Sequence, residues 1–157
     1  MTPLSWFGIV RLGLVQTALG AVVVLATTAL NRVMVVEHAL PATLPGLLVA
    51  LHYAVQALRP RLGHGSDQGR RRTPWIIGGM AVLATGGVLA AVATAWMGAA
   101  VVPGVALAVF AFVLVGLGVG SAGTSLLVLL AARVAPARKP GAASLVWIMM
   151  IAGFVLT

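Results

Sequence analysis

The side chains in this sequence that could do chemistry fall into three groups. His52 stands inside an otherwise apolar run, with Gln56 one helical turn further on and Gln16 in the preceding run. A neutral imidazole in such a place either hydrogen-bonds a neighbouring helix, through Gln56 or Gln16, or serves as a single axial ligand to a metal. Asn31, Arg32 and Glu37 form the second group. Arg32 lies late in an apolar stretch, where a charge costs roughly 3 kcal/mol unless it snorkels or finds a partner. Glu37 is five residues on, near the same helical face but off ideal spacing. The group reads either as an ion pair or snorkelled arginine anchoring a helix end, or as a polar binding site. The third group is the segment Arg59-Pro-Arg-Leu-Gly-His-Gly-Ser-Asp-Gln-Gly-Arg-Arg-Arg-Thr-Pro74. Gly63 and Gly65 permit a tight turn there. Asp67 could pair with an arginine or accept from the start of the next helix. Thr73 reads as an N-cap and Pro74 as a first helical residue. His38 and His64 read as solvated loop residues.

Other chemistry is missing. The sequence has no Gly-x-x-x-x-Gly-Lys phosphate loop, no His-Glu-x-x-His pair and no Asp-rich motif of membrane prenyltransferases. It holds two acids in all and no Cys. Zinc ribbons, iron–sulfur clusters and thiol catalysis are thereby excluded, and little remains for acid–base work. The expectation is a protein that is not an enzyme and has no metal site of its own beyond what His52 could ligate.

The elements that carry these residues follow from composition. Of 157 residues 61% are hydrophobic and 8% charged, and the mean hydropathy is +1.12. A soluble domain carries about 25% charged residues, so this chain has too few to coat an exterior. It reads as an integral membrane protein, all-α, since its runs are apolar on every face and lack the alternation of barrel strands. A helix needs about 20 residues to cross a hydrocarbon core of about 30 Å. Leu12–Leu30, Ala39–Leu58, Thr73–Ala132 (long enough for two helices, with a turn near Gly98–Gly104) and Gly141–Thr157 meet or approach that length. The sequence therefore predicts a single bundle over 1–157 with five spans, at about 9–35, 43–58, 74–97, 103–132 and 141–157.

The net charge of +8 would suggest nucleic acid in a soluble protein. Here it reads as topology. Arg11, the basic residues of the 59–73 loop and those of the 133–140 loop fall on one side of the predicted membrane. They make nine of the ten Lys and Arg, with Arg32 on the other side. The positive-inside rule then places the N-terminus in the cytoplasm and no nucleic-acid partner is needed. The last run stops without a polar flank, which reads as a chain truncated from a longer parent. Gly116, Gly120 and Gly123 form a small-residue stripe for close helix packing. Trp75, Trp96 and Trp147 read as interfacial anchors.

The 59–74 segment resembles the loop Gly-x-x-x-Asp-Arg-x-Gly-Arg-Arg between the second and third helices of the major facilitator superfamily. Gly63, Asp67, Arg70 and Arg71 fit it, Arg72 extends the basic run, Gln68 replaces the basic residue and Gly69 comes one position early. Four further stretches are similar to the PucC/LhaA family, the bacteriochlorophyll-delivery branch of that superfamily. They are Leu12-Gly-Leu-Val-Gln-Thr-Ala-Leu19, Thr28-Ala-Leu-Asn-Arg-Val-Met-Val-Val-Glu37, Leu44-Pro-Gly-Leu-Leu-Val-Ala-Leu-His-Tyr53 and Arg71-Arg-Thr-Pro-Trp-Ile-Ile-Gly-Gly79. The resemblance covers essentially the whole chain and implies the N-terminal half of a major facilitator fold. It implies a light-harvesting antenna assembly factor in the intracytoplasmic photosynthetic membrane. Such a factor binds or delivers bacteriochlorophyll and contacts antenna or reaction-centre polypeptides. His52 would then be a candidate ligand to the chlorophyll magnesium, although Leu48 stands where antenna polypeptides place Ala, four residues before the histidine. Asn31, Arg32 and Glu37 would be candidates to bind a pigment carbonyl or headgroup. Two other functions fit the same residues: a secondary transporter of the major facilitator type, here a fragment, and a structural membrane subunit packed on a larger complex. The few polar groups inside the spans disfavour a hydrophilic transport substrate.

Overall fold

A computed structural model of the chain describes residues 3–61 and 72–157. Helix α1 runs Trp6–Glu37, α2 Thr43–Gln56, α3 Thr73–Met97, α4 Val101–Arg133 and α5 Lys139–Leu156, the last entered through a 3₁₀ turn at Pro136–Arg138. The described residues contain no strand. Four of the helices are long and apolar enough to cross a membrane: α1, α3, α4, and α5 with its leading turn.

The apolar run expected to span at 43–58 does form a helix, but a shorter one. At 14 residues, α2 is about 21 Å long at 1.5 Å per residue, less than a hydrocarbon core. Its limits have local causes. Ala39, at φ 51°, and Pro41 hold the preceding segment out of helix. At the far end, Ala57 N–H bonds Ala54 O and Leu58 N–H bonds Val55 O, tightening the last turn.

Other boundaries moved by a few residues, each for a visible reason. Helix α1 starts early because the Ser5 hydroxyl accepts from Gly8 N–H at 3.3 Å. Thr73 was expected to cap α3 but is its first helical residue, with Arg72 at the cap, and Pro74 in the first turn loses no hydrogen bond. The turn between α3 and α4 is tighter than Gly98–Gly104, since Pro103 and Gly104 fit the first turn of α4.

The later part of α1 is irregular. π-helical turns at Leu25–Ala29 and Val33–Glu37 flank Leu30–Arg32. In such turns an N–H reaches five residues back, as His38 does to Val33 O at 3.1 Å. Side chains take up carbonyls four residues back. Thr27 Oγ1 donates to Val23 O at 2.8 Å, Thr28 Oγ1 to Val24 O at 2.5 Å and Asn31 Nδ2 to Thr27 O at 2.6 Å. An unsatisfied carbonyl in lipid costs several kcal/mol, so these donors make the irregular turns tolerable.

Packing is organised around α4. It pairs extensively with α3 and also carries α2, while α1 pairs with α5. Three core layers stack along the bundle. One holds Met34, Leu48, Ala90, Met97 and Phe112; a middle one holds Leu19, Leu83, Val115 and Ala122; the third holds Ile9, Ile76, Leu130 and Val146. Large apolar side chains such as Phe7, Leu47, Ile77, Val102 and Ile148 face outward, the inverse of a soluble protein and suited to lipid.

Candidate functional site

Two of the buried polar residues, Gln16 and His52, meet at one cavity, while Thr94 and Ser125 are buried elsewhere. A cavity of about 230 Å³ lies between α1, α2, α4 and α5. Gln16 and Leu19 line it from α1, His52 and Gln56 from α2, Thr124 from α4, and Trp147 and Met150 from α5, with Arg59 beyond the end of α2. Helical spacing places Gln56 one turn from His52, and Arg59 a further three residues on. The close seating of α2 on α4 depends on Gly116: a Cβ there would lie 2.8 Å from the His52 carbonyl oxygen. Gly120 is buried on the same helix. A Cβ on Gly123 would meet Leu19 at an ordinary 3.6 Å.

The hydrogen bonds of this cluster fix its chemistry. Arg59 donates to Gln56 Oε1. A guanidinium can only donate, so the Gln56 oxygen is committed to it and the amide NH₂ faces His52. Gln56 Nε2 lies 2.7 Å from His52 Nε2, which must therefore accept. The neutral ring then carries its proton on Nδ1. That Nδ1 is buried and has no partner, in a residue 1% exposed. Gln16 is 4% exposed; its Nε2 donates to the Met150 sulfur at 3.2 Å, and its Oε1 is buried without a partner. One donor and one acceptor, each costing about 1–3 kcal/mol when left unmade, thus belong to residues lining a single cavity. The Nε2 lone pair that would ligate a metal is occupied by Gln56.

The second sequence group is not brought to this cavity. Asn31 bonds its own helix at Thr27 O, and its Oδ1 is buried without a partner. Arg32 and Glu37 are both exposed and form no ion pair with each other. His38 departs from the solvated reading: its Nε2 lies 2.9 Å from Thr94 O, tying the end of α1 to α3. Trp147 departs from the interfacial one, since it sits midway along α5 and lines the cavity. Of the loop motif, Gly63, Asp67, Arg70 and Arg71, with Gly65 and His64, lie outside the described residues, and Arg72 caps α3. A second, apolar groove of about 460 Å³ lies between α3 and α4, lined by Trp75, Gly78, Val82, Leu114 and Ser121 among others.

Two residues of the cavity cluster escaped the sequence reading. Arg59 reads in the sequence as a topology charge, although its spacing from Gln56 signals a contact. Met150 gave no signal, because it reaches Gln16 across 134 positions of chain.

A lipid-facing bundle of long apolar helices, with a small polar pocket inside, defines a polytopic membrane protein. Residues 29–157 match the family model described as PUCC protein, and the chain belongs to the PucC family. It is 55% identical over 154 residues to a Rhodobacter capsulatus protein named "Bacteriochlorophyll synthase 44.5 kDa chain", across 98% of this chain and 36% of the relative. It is 34% identical to "Protein PucC" of Rhodobacter capsulatus and 32% identical to "Protein PucC" of Rhodovulum sulfidophilum, in each case across 99% of this chain and 36% of the relative. The chain thus spans about a third of the length of these relatives. No solved structure matches it.

Proposed function

We propose that this chain serves light-harvesting antenna assembly as a bundle that holds bacteriochlorophyll transiently and contacts antenna or reaction-centre polypeptides. It would sit in the intracytoplasmic photosynthetic membrane with its N-terminus in the cytoplasm. The observation that carries the reading is the cavity lined by His52 and Gln16 in a PucC-family bundle, two residues that each hold a buried polar atom without a partner. The pigment named in the 55% identical relative supports it. The word synthase in that name raises the alternative of catalysis. Two acids in 157 residues favour holding a pigment over making one.

The cavity's size limits how a pigment would be held. Pockets that enclose a small molecule run to about 300–1,000 Å³. One of about 230 Å³ takes an edge or a substituent, leaving the rest of a macrocycle against lipid or a partner helix. Such partial enclosure suits a protein that hands its ligand on.

The test is gentle purification from phototrophically grown membranes, with long-wavelength absorbance and identification of co-migrating polypeptides. Bacteriochlorophyll and antenna or reaction-centre subunits are expected together. A preparation with neither overturns the reading.

A further inference from the structure

We propose that the His52 cavity recognises its ligand through a carbonyl oxygen, which accepts from His52 Nδ1–H, and that Arg59 acts through Gln56 to hold the imidazole in the tautomer that donates. The choice of bacteriochlorophyll as first probe rests on the proposed function; the hydrogen-bond chemistry rests on the cavity. Arg59 fixes the orientation of Gln56, and Gln56 occupies the Nε2 lone pair. The ring is left with one buried N–H and no acceptor. A metal ligand needs a free lone pair, whereas a donor needs an oxygen. Gln16 Oε1 adds an acceptor for any hydroxyl or amide on the same ligand. Most of the other lining residues, Leu19, Val119, Leu127 and Phe154 among them, are apolar, and Tyr53 and Thr124 add two hydroxyls, so the ligand is a largely apolar molecule with few polar groups. A ring carbonyl of bacteriochlorophyll and an ester carbonyl of a phospholipid both meet this description.

The experiment titrates bacteriochlorophyll a into the detergent-purified protein and records the carbonyl-stretch and magnesium-coordination bands by resonance Raman spectroscopy. In the native sequence one ring-carbonyl band is expected to shift to lower wavenumber. His52→Phe keeps an aromatic ring, slightly larger, and removes the N–H, so the shift is lost and affinity falls about tenfold, as for one hydrogen bond in an apolar site. Arg59→Met releases Gln56 and weakens the shift. Because Arg59 is exposed, this variant carries the test if His52→Phe does not fold. The magnesium bands are expected to stay unchanged in both variants. A change in the magnesium bands on removing His52, with the carbonyl bands unmoved, overturns the proposal. A second arm places the protein in nanodiscs of phosphatidylethanolamine and phosphatidylglycerol and reads the ester-carbonyl infrared band. A His52-dependent shift there without one for pigment assigns the cavity to lipid and upholds the donor chemistry. No His52-dependent carbonyl shift in either arm overturns it. Absence of antenna polypeptides from purified membranes counts against the proposed function and leaves these spectra unaffected.

Discussion

At the scale of single residues, contact geometry separates positions that the sequence makes look alike. Gly78 and Gly79 are neighbours in α3, yet a Cβ on Gly79 would lie 2.6 Å from the Ala122 backbone nitrogen, while one on Gly78 meets nothing within 4 Å. Backbone cannot yield as a flexible side chain can. Gly79→Ala is therefore expected to force α3 from α4 and cost about 1–3 kcal/mol, whereas Gly78→Ala should leave the unfolding midpoint unchanged or raised. Thermal unfolding of both variants in one detergent checks the contrast, and equal midpoints would sink it. Ala39 gives a prediction of opposite sign. Its φ of 51° lies in the left-handed region, which costs a residue with a Cβ roughly 1–2 kcal/mol. Glycine returns part of that gain as chain entropy. Ala39→Gly should stabilise the protein by about 0.5–1 kcal/mol in the same assay.

At the scale of helices, the α1–α5 pair shows how association works without a hydrophobic driving force between apolar elements. The single proton of Thr17 Oγ1 is shared between Gly13 O in its own helix at 3.1 Å and the nearer Met149 O of α5 at 2.8 Å. Gly153 presses against the Thr17 backbone, and Gly13 accommodates Met149. Thr17→Val keeps the shape and loses the bond across the pair, so it should cost about 0.6–2 kcal/mol, as such bonds do in membranes. Gly153→Val should cost more, because it separates the backbones. Unfolding both variants ranks the two contributions, and a larger loss for Thr17→Val would contradict the packing argument. The existence of these helices was legible because a bilayer demands long apolar runs, and α3, α4 and α5 lie close to where those runs predict. The shortness of α2 and the π turns of α1 were not. Apolarity is the same on all sides of such a run, so only Pro41 and the cluster Thr27, Thr28 and Asn31 hinted at irregularity. The site was half legible for a similar reason. His52 and Gln56 meet by helical spacing within one element, whereas the side of α1 that turns Gln16 toward them depends on how separate helices pack.

At the scale of the whole molecule, the described basic residues sort by end of the bundle. Leu4 N–H bonds Arg133 O at 2.8 Å, and Arg11, Thr73 and Arg133 line one cavity, so the start of α1, the start of α3 and the end of α4 share an end. Arg59 and Arg61 follow α2, and Arg138 precedes and Lys139 begins α5, so they belong to that end by connectivity. Arg32 lies toward the opposite end, where the last turns of α1 lead to His38 and its bond to Thr94 near the end of α3. Lys and Arg cross a bilayer poorly, and their asymmetry sets orientation during insertion. The chain has no Cys, so single introduced thiols report position against a clean background. Ala137→Cys lies in the 3₁₀ turn before α5, and Ala42→Cys lies between α1 and α2. With a membrane-impermeant maleimide, Ala42→Cys should label in spheroplasts and Ala137→Cys only in inverted vesicles. The reverse pattern would overturn the cytoplasmic N-terminus, and labelling of both from one side would break the bundle's polarity. Moving the charge bias tests its cause. Replacing Arg133, Arg138 and Lys139 with Gln should leave part of the population with α5 in the wrong orientation, seen as mixed labelling of Ala137→Cys from both sides.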